Sequence, residues 1–154
     1  MEFRQESDIV PIPDTHLYLG NFFTTNNDFA LGYHDIKHIL TFLEFPPVSI
    51  FPDKFQYKFF PMRDDIHQEL IPIVKQAIPY IEECYKKDQN VYIHCFMGIS
   101  RSVSVIIAWL MWKKDITFEK AYSIVKHVRF FARPNSSFYT QLKLWESEKS
   151  HFRV

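Results

Sequence analysis

Val91-Tyr92-Ile93-His94-Cys95-Phe96-Met97-Gly98-Ile99-Ser100-Arg101-Ser102 begins as a brief buried strand, passes through a loop and ends at the start of a helix. Successive backbone N–H groups in a tight loop can point inward together as a nest for an anion, and the helix that follows adds the positive end of its dipole. Gly98 supplies the backbone freedom such a turn needs, in a chain that has only three glycines. Arg101 completes the cradle, because its planar fork can grip two oxygens of one phosphoryl group. The loop residues Phe96, Met97, Gly98, Ile99 and Ser100, with Arg101, are therefore the expected binding surface for a phosphate.

The same field acts on Cys95. A cysteine at a helix N-terminus beside a cation reacts as the thiolate, so Cys95 is the expected nucleophile and needs no adjacent base. Attack by sulfur on a phosphate ester releases an alkoxide or phenolate, which needs a proton from another loop. Asp64, 31 residues upstream, is the candidate acid, and Asp65 competes with it on spacing alone. Ser102 can donate a hydrogen bond to the departing thiolate in the second step. His94 is expected to hold the loop through hydrogen bonds. This chemistry requires no metal and no cofactor.

Working outward, Leu17-Tyr18-Leu19 and Ile36 to Phe42 are β-prone runs bounded by Gly20, Asn21, Gly32 and the Pro46-Pro47 pair. Phe55 to Phe60 alternates and predicts a further strand before Pro61. Between Leu70 and Tyr85 the apolar residues Leu70, Ile73, Val74, Ala77, Ile78, Ile81 and Tyr85 recur at helical spacing. Pro72 is early enough to be tolerated, and Pro79 is expected to kink the helix or weaken its middle. Further helices are predicted at Arg101 to Trp112, Thr117 to His127 and Ser137 to Lys149. Strands interleaved with helices, then a helical C-terminal half, indicate an α/β fold with one sheet and most helices on one side.

Composition narrows the function classes. With 154 residues and 47% hydrophobic content, the chain is expected to form a single domain (1–154, core about 8–149). Its 18 basic and 18 acidic side chains cancel, so no global field draws it to nucleic acid or to an anionic membrane, and any anion site must be local. Residues Met1 to Asp8 lack the apolar run of a signal peptide, and Val105 to Trp112 is too short to cross a bilayer. Two cysteines make no disulfide framework. A cytoplasmic setting, extending to the nucleus, is expected. Cys84 is expected to pack in the core, the alternative being a disulfide with Cys95 that shields it from overoxidation. His34 and His38 stand four apart, but the strand-like run around His38 argues against a shared helical face, so no metal site is expected. Lys126, His127, Arg129 and Arg133 form a basic stretch whose ordinary reading is a solvated face or a set of internal ion pairs.

His94-Cys-x-x-Gly-x-x-Arg101-Ser102 resembles the signature of the protein tyrosine phosphatases, and Gly98-Ile99-Ser100-Arg101-Ser102 is most similar to their dual-specificity branch. Leu17-Tyr18-Leu19-Gly20 resembles that family's opening strand. Phe60-Pro61-Met62-Arg63-Asp64 resembles its acid loop and favours Asp64 over Asp65. Arg133-Pro134-Asn135 and the residues that follow resemble the segment before its last helix, where the asparagine, here Asn135, helps to brace the phosphate loop. The resemblance implies a central sheet of about five strands flanked by helices. It also implies a shallow pocket for phosphotyrosine and for phosphoserine or phosphothreonine on protein substrates, opened through a cysteinyl-phosphate. No kinase-docking domain precedes the motif, so the small, stand-alone members are the expected relatives.

Overall fold

The apolar runs of the first hundred residues become five strands, β1 (Ile9–Pro11), β2 (Leu17–Gly20), β3 (Ile36–Leu43), β4 (Gln56–Pro61) and β5 (Asn90–His94). The computed structural model describes residues 7–154. The reading of residues 1–6 given above lies outside that range. The strands form one sheet in the order β1-β2-β5-β3-β4, with β1 antiparallel to β2 and the other neighbours parallel. Parallel strands need long crossovers, and here these are α1 (Asp28–Tyr33), the loop after β3, and α2 (Ile71–Lys86). Then α3 (Arg101–Lys114), α4 (Phe118–Val128) and α5 (Ser136–Glu148) follow one another, as the run of helical patterns predicts.

The central strand β5 presents Val91, Tyr92, Ile93 and His94, all buried, which is why its sequence does not alternate. One face of the sheet carries the main core, where α3 contributes every residue from Val103 to Met111 except Ser104 to the buried apolar cluster. The opposite face carries a smaller cluster of Leu31, Ile36, Ile39, Phe55 and Tyr92 beneath α1. Polar clips lock the helices of the larger layer. Trp109 donates its indole N–H to Glu82 at 3.0 Å, Lys113 reaches the other oxygen of that buried carboxylate at 2.7 Å, and Trp145 donates to the Ala108 carbonyl at 3.1 Å. Burying the Glu82 charge is tolerable only because both its oxygens are occupied.

Three local expectations differ from the structure. Helix α2 runs unbroken across Pro79. Pro79 and Lys75 both face solvent, so the Lys75 carbonyl that loses its helical partner is open to water. Strand β4 includes Pro61 instead of stopping before it, which an edge strand permits because one side of its backbone needs no partner. The third difference is two missed elements, β1 and α1, of three and six residues, too short to establish a periodic pattern. Helix α1 starts where the Asn27 side chain accepts the Ala30 N–H.

The close approach of β1 to the sheet depends on Gly20. A Cβ there would lie 2.0 Å from the Asp8 carbonyl oxygen and 2.3 Å from the Tyr92 hydroxyl. Gly20→Ala must therefore displace β1, and we expect it to cost about 1–3 kcal/mol in urea unfolding.

Candidate active site

The loop from Cys95 to Ser100 leaves the C-terminal end of β5, the middle strand of the sheet, and runs into the N-terminus of α3. Open α/β sheets bind their ligands at this end of their strands. Gly98 takes a φ of +66°, the left-handed conformation that its lack of a Cβ permits.

Each carbonyl of the loop is turned outward and bonded to protein. The Cys95 oxygen lies 2.8 Å from His94 Nδ1, and the Phe96 oxygen accepts from the Phe22 N–H at 2.9 Å. The Met97 and Gly98 oxygens accept from the guanidinium of Arg129, at 3.1 and 2.6 Å. The Ile99 oxygen accepts from the Arg133 N–H at 2.8 Å, and the Ser100 oxygen accepts from both the backbone and the hydroxyl of Ser104. Among the described residues, none of the N–H groups from Phe96 to Ser100 finds a protein acceptor. Because carbonyl and amide of one peptide unit point in opposite directions, carbonyls fixed outward leave the amides converging on the concave side.

Arg101 begins α3 beside this concavity. One of its terminal nitrogens donates to the Met62 carbonyl at 3.3 Å, while its buried Nε has no partner among the described residues. A buried guanidinium N–H left unpaired is costly, and an anion in the loop would relieve it. Cys95 is buried at the loop's entry, its Sγ 3.2 Å from the Ser102 hydroxyl in the first turn of α3. His94 is fully buried. Burial pushes its imidazole down to about 4, so the ring is neutral at pH 7. With Nδ1 donating to the Cys95 carbonyl, Nε2 accepts from the Thr41 hydroxyl at 2.7 Å.

The loop between β4 and α2 brings Asp64 to the same region. The Asn135 side-chain amide donates to Asp64 Oδ1 at 2.9 Å, while the Asn135 backbone N–H donates to the Ser100 hydroxyl at 2.9 Å. The asparagine oxygen meanwhile caps α5 by accepting from Phe138 N–H. Asn135 thus ties acid loop, phosphate loop and last helix together. The Asp65 carboxylate turns elsewhere, towards Arg63 Nε at 3.3 Å and the His67 N–H at 2.9 Å, and only its backbone carbonyl meets the Asn135 amide, at 3.4 Å. Gln141 of α5 closes the loop's far end by accepting from Leu70 N–H and donating to the Gln68 carbonyl.

The catalytic-domain family described as "Dual specificity phosphatase, catalytic domain" matches residues 17–148. This chain belongs to that family. The dual specificity protein phosphatase MPK-4 of Drosophila melanogaster is 34% identical over 148 residues, spanning 92% of this chain but 38% of the fly protein. Dual specificity protein phosphatase 1B of Arabidopsis thaliana is 34% identical over 132 residues, spanning 84% of this chain and 77% of its own length. Among solved structures, a mouse putative dual specificity phosphatase complexed with zinc tungstate superposes with a TM-score of 0.88 at 21% identity, covering 98% of this chain and 94% of its own. The structure of DUSP15 superposes with a TM-score of 0.83 at 24% identity, covering 96% and 98%. These two show a shared fold, a dual-specificity phosphatase sheet with its helices.

Sequence reasoning missed Arg129, Asp8 and Thr41. Arg129 stood in the basic stretch, and the internal ion pair weighed for that stretch is the one it makes, with Asp8 at 2.6 Å. Thr41 lies opposite His94 in the β3–β5 register, a signal that only strand pairing supplies. Cys84 packs in the core, as read. The weighed disulfide with Cys95 is ruled out by position. The Cys84 carbonyl accepts from the N–H of Gln89, the residue before β5, and Cys95 follows the last residue of that strand, about 20 Å further on at ~3.3 Å per residue. A disulfide needs Cα atoms within about 7 Å. His34 ends α1 and His38 sits in β3 between Tyr80 and Gln89, on separate elements.

Burial pushes the Cys84 thiol up to about 11. Iodoacetate at pH 7 is therefore expected to label Cys95 in the folded protein while Cys84 reacts only after unfolding, as peptide mass spectrometry would resolve; comparable rates in the native state would contradict the site described. His94 gives a second expectation. Its folded value lies below the ordinary 6.5, so unfolded chains take up a proton first as pH falls. Stability is complete above pH 6.5 and declines towards pH 4 by about 3 kcal/mol, measurable from urea midpoints against pH.

Proposed function

We propose that this chain hydrolyses phosphate monoesters on proteins, at phosphotyrosine and at phosphoserine or phosphothreonine, through a cysteinyl-phosphate on Cys95. The observation that carries this reading is the loop whose carbonyls are all bonded outward, leaving a ring of amides around a thiol and beside a buried arginine N–H, none of which finds an acceptor among the described residues. Such an array suits a tetrahedral dianion.

In the first step the Cys95 sulfur attacks phosphorus, the P–O bond to the substrate breaks, and Asp64 gives its proton to the leaving oxygen. The loop amides and Arg101 hold the three equatorial oxygens as charge spreads over them. In the second step the Asp64 carboxylate takes a proton from water as its oxygen attacks phosphorus. The S–P bond breaks, the thiolate leaves with a hydrogen bond from Ser102, and inorganic phosphate is released. His94 and Asn135 support the loop and the acid without touching the reacting atoms.

The rim favours a protein-borne ester over a highly charged small molecule. Phe96 and Met97 are each about half exposed, the neighbouring Phe23 stands beside Phe96, and none of the variable loop positions is a lysine. A polyanion would find one counter-charge in the loop, Arg101, and apolar surface around it. Both cysteines are free thiols, which suits the reducing setting of the cytoplasm.

Para-nitrophenyl phosphate and matched phosphotyrosyl and phosphothreonyl peptides are expected to be turned over, with inositol polyphosphate a poor substrate. Cys95→Ser should abolish turnover. Asp64→Asn should lower kcat about a hundredfold or more, and Asp65→Asn only a few-fold. A folded wild-type protein without turnover would instead favour a phosphoprotein-binding role.

A further inference from the structure

Arg129 is buried at 3% exposure, and all three of its guanidinium nitrogens are bonded. Its Nε donates to the Gly98 carbonyl at 2.6 Å and its Nη2 to the Met97 carbonyl at 3.1 Å. On the other side, Nη1 and Nη2 meet the two carboxylate oxygens of Asp8 at 2.7 and 2.6 Å. The Phe131 ring covers the group, 4.4 Å from its central carbon. We propose that Arg129, oriented by Asp8, is a positioning residue of the phosphate loop, setting the direction of the amides that receive the phosphoryl oxygens. The proposal rests on the phosphatase reading above and extends it to two residues that touch no substrate.

Peptide planarity carries the argument. The Met97 carbonyl shares a rigid unit with the Gly98 N–H, and the Gly98 carbonyl with the Ile99 N–H. Holding both oxygens outward holds both amides inward. These two units flank Gly98, the one loop residue with a positive φ and the one with most freedom to turn over. The carbonyls of Cys95, Phe96, Ile99 and Ser100 are held by a neutral imidazole, by backbone N–H groups and, at Ser100, also by a hydroxyl, whereas these two alone receive charge-assisted bonds. The strongest restraint thus falls at the most pliable point. The fit is tight, since a Cβ on Gly98 would lie 2.7 Å from Arg129 Nη2 and 2.5 Å from the Gly20 carbonyl oxygen.

Asp8 is itself anchored. Its carbonyl accepts from the Thr24 hydroxyl at 2.9 Å, and the Tyr92 hydroxyl lies 3.2 Å from the same oxygen and 2.6 Å from the Asn21 carbonyl. The carboxylate therefore approaches Arg129 from a backbone pinned beside β2 and β5. Asp8 precedes residue 17, where the family match begins, while Arg129 lies inside it. The loop's geometry thus depends on a residue outside the matched span, delivered by the short edge strand β1.

The test uses the full chain with Arg129→Met, Arg129→Lys and Asp8→Asn, each checked for folding by circular dichroism and urea titration. The measured quantities are kcat/KM for para-nitrophenyl phosphate, binding of inorganic phosphate by titration calorimetry, and the iodoacetate rate at Cys95. Arg129→Met and Asp8→Asn are expected to lose at least about tenfold in kcat/KM and to weaken phosphate binding by a similar factor, because misplacing a preorganised donor by an ångström or less carries penalties of this size. Arg129→Lys, which keeps the charge but not the fork, should fall between them and wild type. A nearly isosteric change at Asp8 keeps the question answerable if Arg129→Met fails to fold. Folded variants that bind phosphate and react with iodoacetate as wild type does would overturn the proposal, even if their urea midpoints had dropped, because that pattern marks a purely structural ion pair. Phosphate binding and alkylation need no turnover, so an inactive wild type would refute the phosphatase reading while these two measurements still decide the role of Arg129.

Discussion

The structure depends on one constraint of covalent geometry, that the amide and carbonyl of a peptide unit cannot face the same way. A loop can offer a ring of N–H groups to an anion only if it turns its carbonyls away, and buried carbonyls turned away must find donors. In this chain the donors come from everywhere: from His94 at the end of the central strand, from Phe22 after β2, from Arg129 and Arg133 between α4 and α5, and from Ser104 in α3. The sheet and the helices around it can be understood as the means of bringing those donors behind a six-residue loop.

Each donor is protected from the alternatives open to it. His94 is kept neutral by burial, which leaves one ring N–H for the Cys95 carbonyl and one lone pair for Thr41. A charged imidazole would have no acceptor for its second proton there except a hydroxyl oxygen. Arg129 keeps its charge in the interior because Asp8 neutralises it in a two-point pair, the geometry in which a buried ion pair is tolerated. Arg101, by contrast, is left short of partners, with a buried Nε that finds no acceptor among the described residues. The contrast separates a guanidinium with every nitrogen bonded from one with a donor to spare.

The acid loop is coupled to the same scaffold. Asn135 reaches Asp64 with its side chain and Ser100 with its backbone, and Gln141 closes the other end of the loop one turn and a half further along α5. Asp64 and the loop after β5 are therefore tied to the N-terminal part of one helix. The Asp65 carboxylate, paired with Arg63 and the His67 N–H, stays out of that linkage, to which Asp65 contributes only its backbone carbonyl.

Much of this was legible before folding. The strand-loop-helix motif from Val91 to Ser102, the helical spacing of α2 and the apolar run of α3 are local patterns. Local patterns follow from φ/ψ preferences and periodic burial that neighbouring residues determine among themselves. The placement of Cys95 and Arg101 at the two ends of the loop and the special conformation of Gly98 were readable for the same reason. What the sequence left open were the pairings between distant segments: Asp8 with Arg129, Thr41 with His94, Asn135 with Asp64 rather than Asp65. These are separated by 121, 53 and 71 positions, and no local rule links them. Strand order and helix docking decide which side chains meet, so the tertiary structure alone turned an ordinary basic stretch into a clamp and placed Cys84 at the far end of a strand from Cys95. The short elements β1 and α1 belong to this second class, since three or six residues hold too little periodic burial to be recognised without the sheet that receives them.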